Sequence, residues 1–173
     1  MINRYKKGKL GELETVQFFK RWWPDAARSI GQSRRGSEAP DIINTPFWVE
    51  SKLVASVTQG KVAKWWKTAV EDVRINGEYD IKDIIIRYRC TGLSKPGPNG
   101  FTYVRFVLHE RFLTELELNA GYSDRTKVKY FSFVGPFIEI TEDYFRDLLD
   151  YNYKIRETIN GVLEPMAAPS PIH

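Results

Sequence analysis

The chain has 173 residues, enough for one domain with a single core and cramped for two. Its formal net charge of +4 and pI of about 9.1 are a modest basic excess, a weak pointer to an anionic partner. A single cysteine, Cys90, and two histidines exclude an internal disulfide and a cysteine/histidine zinc site, and no apolar run approaches the roughly 20 residues that span a bilayer, so the expectation is a protein of the reducing cytoplasm with no membrane partner.

Residues from about Tyr5 to Trp23 read as a helix stopped by Pro24, with Leu10, Leu13, Val16, Phe19 and Trp23 as its buried stripe. The segment before it, Met1 to Lys7, lacks the apolar core of a signal peptide. Glu12 lies four residues before Val16 and seven before Phe19, hence on the inward side, where an acid is expensive unless a cation meets it. Gly8 and Gly11 weaken a helix, which implies that another group approaches its backbone closely. Arg4, Lys6, Lys7 and Lys9 crowd the helix start. Such a run is ordinarily a solvated face; beside an acidic pocket it equally suits phosphates.

Ala27 to Gly31 forms a short strand candidate leading into the polar loop Gln32–Glu38, where Ser33, Arg34 and Arg35 sit side by side. The two arginines are suited to a phosphate backbone, or are simply exposed. Next come two apolar strands joined by the turn Asn44-Thr45-Pro46. A hairpin centred on Thr45-Pro46 sets Ile43 against Trp48, Ile42 against Val49 and Asp41 against Glu50. Opposed residues share a side, and so do Glu50 and Lys52 at period two. Two carboxylates and one ammonium therefore meet on one face, provided the register does not slip by a residue.

A helix follows, capped by Ser56 or Thr58, with Val62, Trp65, Trp66, Ala69, Val70 and Val73 inward and Lys61, Lys64, Lys67 and Arg74 outward. Gln59 stands at its start, within possible reach of the hairpin. Asp83 to Cys90 reads as a strand, residues 94–100 as a turn-rich link, and Phe101 to Leu108 as its partner. A short helix over His109 to Leu118, strands at Val128 to Val134 and Phe137 to Ile140, and a last helix from a Thr141 cap to about Thr158 complete the order. That helix has Phe145, Leu148, Leu149 and Ile155 on its apolar side, and Pro165 to His173 reads as a disordered tail. Helices alternating with strands predict an α/β fold, a mixed central β-sheet flanked by helices.

Carboxylates converging with a lysine make a hard-oxygen site suited to Mg²⁺, with Mn²⁺ as a substitute. Lys52 is placed to orient or deprotonate an attacking water, or to neutralise phosphate charge; residue types alone do not choose. Without metal, the same three residues make a buried salt-bridged cluster.

Pro40-Asp41 and Glu50-Ser51-Lys52 in this strand setting resemble the PD-(D/E)XK nuclease superfamily. Lys7-Gly8-Lys9-Leu10-Gly11-Glu12, with the Ser/Gly/Arg-containing loop, resembles archaeal-type Holliday junction resolvases, including those carried by bacteriophages. The similarity covers roughly residues 4–90. It implies a restriction-endonuclease-like nuclease core over residues 4–108 of a single domain, 1–164, in which 109–164 are an elaboration. It also implies that Asp41, Glu50 and the Ser51 carbonyl bind the catalytic metal, that Glu12 completes the acidic site, and that Lys52 positions the nucleophile. Ser33, Arg34, Arg35 and the basic residues Arg4, Lys6, Lys7 and Lys9 would lie on DNA. The implied activity is paired symmetric nicking of a four-way junction by a two-fold homodimer, since one small protomer does not easily span both scissile sites. A flap, nicking or restriction-like enzyme, and a non-catalytic DNA-binding protein, are the alternatives.

Overall fold

The computed structural model describes residues 4–29, 39–91, 103–131 and 135–155, except for the side chains of residues 4–7 and 154–155. The expectations for Ser33, Arg34 and Arg35, for the side chains of Arg4, Lys6 and Lys7, for the link at 94–100 and for the tail at 165–173 lie outside the described residues.

Among the described residues there are seven strands: β1 (Ala27–Arg28), β2 (Ile42–Ile43), β3 (Trp48–Val54), β4 (Ile84–Cys90), β5 (Val104–His109), β6 (Val128–Tyr130) and β7 (Phe137–Thr141). They form one mixed sheet in the order β1-β2-β3-β4-β5-β7-β6, in which only β3 and β4 run parallel. A parallel pair needs a long crossover, and helix α2 (Gln59–Asn76) supplies it. The remaining helices are α1 (Arg4–Phe19), α3 (Glu110–Ala120) and α4 (Glu142–Asp150), the last continuing into a π-helical turn, Tyr151–Ile155. The architecture is α/β, a mixed sheet flanked by helices, and its C-terminal third adds β6 and β7 to the same sheet. No helix among the described residues is long and apolar enough to cross a membrane.

The sheet separates two cores. Helices α1, α3 and α4 cover one face, burying Val16, Phe19, Val49, Phe106, Leu113 and Phe145 together. Helix α2 covers the other, where Val62, Trp66 and Val73 meet Trp48, Ile86 and Phe137. Strand β4 is buried on both sides and alternates between the two: Ile84, Ile86 and Tyr88 face α2, while Ile85 faces the α1 side. Local chemistry starts and stops these elements. The Thr58 hydroxyl accepts from the Lys61 N–H, and Gly77 closes α2 at φ 75°, a backbone conformation open to glycine at no steric cost.

Helix α1 departs from its sequence expectation in extent and in facing. It ends at Phe19, and Trp22 and Trp23 instead turn back with their N–H groups on the Phe19 carbonyl. Leu10 and Leu13 are 48% and 43% exposed. Gly11, Thr15, Val16 and Phe19 face the sheet in their place. The cause is close approach. A Cβ on Gly11 would lie 3.1 Å from the Leu53 Cβ and 3.4 Å from the Ser51 Oγ, so the helix turns its smallest residue to β3. Gly8 has open space where its Cβ would be, so crowding of its backbone is not the reason for that glycine.

Candidate active site at the β2–β3 ribbon

The ribbon keeps the register that its turn chemistry predicts. Ile42 pairs with Val49, and the Asp41 N–H donates to the Val49 carbonyl at 2.8 Å. Asn44 takes a positive φ of 62° at the turn, an excursion that asparagine tolerates better than most residues. One step beyond Ile42, Asp41 leaves the ladder and replaces it with its side chain: Oδ2 accepts from the Ser51 N–H at 2.6 Å. A strand residue shows its N–H and C=O to the same neighbour, so the Ser51 carbonyl faces the edge that Asp41 occupies. The Ser51 side chain is on the opposite face, against α1. The Thr15 hydroxyl donates to the Gly11 carbonyl at 2.8 Å, so the Ser51 hydroxyl is the donor in its own 2.8 Å contact with Thr15.

Glu50 and Lys52 share the α2 face of β3, as period two requires. The Lys52 Nζ lies 2.6 Å from the Glu50 Oε2, and the Trp48 indole N–H donates to Oε1 at 3.1 Å. Their side chains are 13% and 29% exposed, Glu50 the more buried. They open onto a cavity of about 360 Å³ that α2 closes with Lys61, Lys64, Trp65 and Thr68.

Charge in this corner is unbalanced. Burial pushes the Glu50 carboxyl above its ordinary value of 4.5; Lys52 opposes that push and Asp41 adds to it. Burial works against the Lys52 ammonium, but the carboxylates of Glu50 and Asp41, with help from Asp72, outweigh it and hold Lys52 above its ordinary value of 10.5. At Lys52 itself one ammonium thus answers Glu50 and Asp41 together, a local excess of acid that a divalent cation would neutralise, while Lys61 and Lys64 line the cavity beside it. Asp41 beside the Ser51 carbonyl, with Glu50 near enough to feel its charge, offers oxygen donors of the hard kind that suit Mg²⁺ keeping water on its other positions.

That imbalance carries a pH signature. A carboxyl whose folded value is raised binds its proton more tightly in the folded state. The stability so contributed is complete below pH 4.5 and is lost as pH rises through the folded value. Glu50→Gln mimics the protonated acid. In EDTA its urea midpoint is expected to match wild type near about pH 4 and to rise above it towards neutrality; parallel pH profiles would contradict the assignment.

Not every predicted residue joins this set. Glu12 pairs with Arg28 of β1, and Arg28 lies across from Ile42, whose side chain belongs to the α1-side core. The cation that meets the inward glutamate is therefore an arginine, on the face of the sheet away from Glu50. Among the described residues, no three histidine, cysteine, aspartate or glutamate side chains gather closely enough to hold a metal ion. Lys9 is exposed on α1, and Gln59 is exposed at the first position of α2.

Other residues at the site escaped the sequence reading. Trp48, which the sequence places on the strand opposite Ile43, lies two residues before Glu50 and therefore on the same face. Lys61 and Lys64, on the outward side of α2 as the sequence predicts, also line the cavity. Asp72 is buried on α2 and acts on Lys52. Its spacing of three from Ala69 is the inward-acid signal that singled out Glu12. On the far side of Lys52 a row of polar groups continues across the sheet beneath the surface: Lys52 neighbours the buried Tyr88, and Tyr88 neighbours Arg105. The Tyr88 hydroxyl donates to the buried Glu139 at 2.6 Å, and burial, with that carboxylate, raises its pKa strongly.

No family model, curated protein or solved structure matches this chain.

Proposed function

We infer that this chain is a Mg²⁺-dependent endodeoxyribonuclease of the PD-(D/E)XK kind, with a restriction-endonuclease-like core, cutting branched DNA as a two-fold homodimer in the cytoplasm. The observation that carries the reading is the meeting of Asp41, Glu50 and Lys52 on one ribbon, with the Lys52 ammonium 2.6 Å from Glu50 beside a cavity that cations line. Asp41 and Glu50, with the Ser51 carbonyl, would hold the ion, which supplies charge neutralisation for a phosphate and a more acidic water. The chain's own groups do the rest. The Ser51 N–H fixes the Asp41 carboxylate, the Trp48 indole fixes Glu50, and Lys52 presents an ammonium to the water or to a phosphate oxygen. The role of Glu12 in this reading is indirect, since Arg28 engages it on the other face.

A second reading has an observation of its own. Glu50 is already answered by Lys52 and Trp48, and no third acid completes a metal-holding group among the described residues, as in a DNA-binding protein whose cluster is structural. Incubation with labelled four-way junction, flap and linear duplex, with and without Mg²⁺, separates the readings. The expected result is paired symmetric nicks confined to the junction and dependent on the ion. Cutting linear duplex or flap equally well would shift the assignment to a flap or restriction-like enzyme. A junction that is bound but never cut would favour the structural cluster.

A further inference from the structure

Beyond the acidic corner lies a larger groove, between α2, the 3₁₀ turn Ile81–Asp83 and the start of α3. We propose that this groove seats an unpaired nucleotide of a nucleic-acid strand, with its base against an apolar floor and its phosphates on a cationic rim. The groove holds about 750 Å³, inside the roughly 300–1,000 Å³ common for ligand sites. Trp66, Val70 and Ile81 make it apolar within. Its rim carries Lys64, Lys67, Arg74, Lys82 and Arg111 against one lining carboxylate, Asp80. Five cations facing one acid are an excess as large as the net charge of the whole chain, +4, gathered at one place.

The competing partners of these cations are weak. Lys67 stands 4.0 Å from Glu71 and Lys82 stands 3.9 Å from Glu115, long contacts between substantially exposed groups that contribute little. Among the described residues, Lys64, Arg74 and Arg111 have no ion pair within 4.0 Å. Polar groups for a base edge are also present. His109 caps α3 by accepting the Arg111 N–H on Nδ1 at 3.1 Å, which leaves Nε2 as the ring donor, and Asp80 supplies an acceptor. Together these features call for a ligand that is anionic outside and flat and apolar within, which is the chemistry of a nucleotide.

A strand is favoured over a free nucleotide by length and position. Lys61, Lys64, Lys67 and Arg74 line the exposed side of α2 over about 20 Å, longer than one phosphate needs. Lys64 borders both this groove and the cavity onto which Glu50 and Lys52 open, so a strand leaving one meets the other. The proposal does not depend on cleavage.

The test is fluorescence anisotropy of a labelled 15-nucleotide single strand with the full chain in EDTA, where the groove is read whether or not the protein cuts DNA. Arg74→Glu with Arg111→Glu, both exposed positions, is expected to weaken binding at least about tenfold and to flatten the salt dependence by roughly one to two contacts' worth. An abasic strand of equal length is expected to bind wild type more weakly than the normal strand. Undiminished binding by a double variant whose thermal midpoint is unchanged overturns the proposal, as does equal affinity for the abasic strand. AMP binding as tightly as the strand assigns the groove to free nucleotides and overturns it too. Should the double variant lose thermal stability, Lys67→Glu, exposed on α2, takes its place with the same reading. Strand binding in the groove by a wild-type protein that cuts no DNA in Mg²⁺ would sink the nuclease reading alone.

Discussion

Asp41→Asn is expected to lower Mg²⁺-dependent junction cleavage by at least about 10²–10³-fold while leaving the fold nearly as stable as wild type. The two effects separate because the carboxylate has two roles. Its structural role is to accept the Ser51 N–H at 2.6 Å, and the asparagine amide oxygen can do the same at a loss of about 1 kcal/mol, the difference between a charged and a neutral acceptor. The proposed metal-holding role needs the full negative charge of Asp41 beside the Ser51 carbonyl, and an amide does not supply it. Removing that charge also relieves Glu50, whose carboxyl Asp41 helps to push upward. Single-turnover cleavage and urea midpoints, measured on the same preparation, report the two separately. DNA binding in EDTA is expected to hold or tighten as the corner becomes less negative. Undiminished cleavage by a folded Asp41→Asn protein would end the catalytic assignment of the ribbon.

The largest stability effect is expected at Phe106. Its side chain is wholly buried, with the rings of Phe18 and Phe145 each centred 4.7 Å away. It therefore ties α1 and α4 to the middle of the sheet. Phe106→Ala removes those contacts and leaves a cavity that three elements cannot readily collapse, at about 3–5 kcal/mol. That is a large part of the roughly 5–15 kcal/mol by which a domain is stable, so the variant should unfold at much lower urea with an unchanged slope. Leu118, 76% exposed, is the matched control: Leu118→Ala should stay within about 0.5 kcal/mol. A change below about 1 kcal/mol at Phe106 would mean that the α1-side core is not packed as described.

The two faces of the sheet are covered differently, and this bears on where the proposed site lies. Three helices seal the α1 face, and its buried charges are internally matched: Arg87 lies between Glu14 and Glu142, and Glu14 also holds Arg89. On the other face α2 alone among the described helices covers the sheet. Polar strand residues at its margin, Glu50 and Lys52 among them, keep access to a cavity, and the cations of α2 project beside them.

What was readable from residue order was whatever depends on near neighbours in the chain. The turn at Asn44-Thr45-Pro46 set the ribbon's register, with Ile42 opposite Val49, although Asp41 steps off the ladder to accept the Ser51 N–H instead of lying opposite Glu50. Period two put Glu50 and Lys52 on one side. The Thr58 and Thr141 caps, and the periodic apolar residues Val62, Trp66, Ala69 and Val73, marked helices that are present. Partnerships across long stretches of chain were not readable, because several satisfy the same local pattern. Leu10 and Leu13 have the spacing of a core stripe, yet contact with β3 favoured the bare backbone of Gly11 and left both leucines in water. An inward glutamate needs some cation, but only the packing of β1 against α1 made that cation Arg28. Likewise, helical spacing told which lysines of α2 share a face, whereas docking of the helix on the sheet decided that Lys61 and Lys64 border the acidic corner. Hydrogen-bond geometry and side-chain alternation act over a few residues and are written in the chain; close packing is a property of surfaces that meet only when it folds.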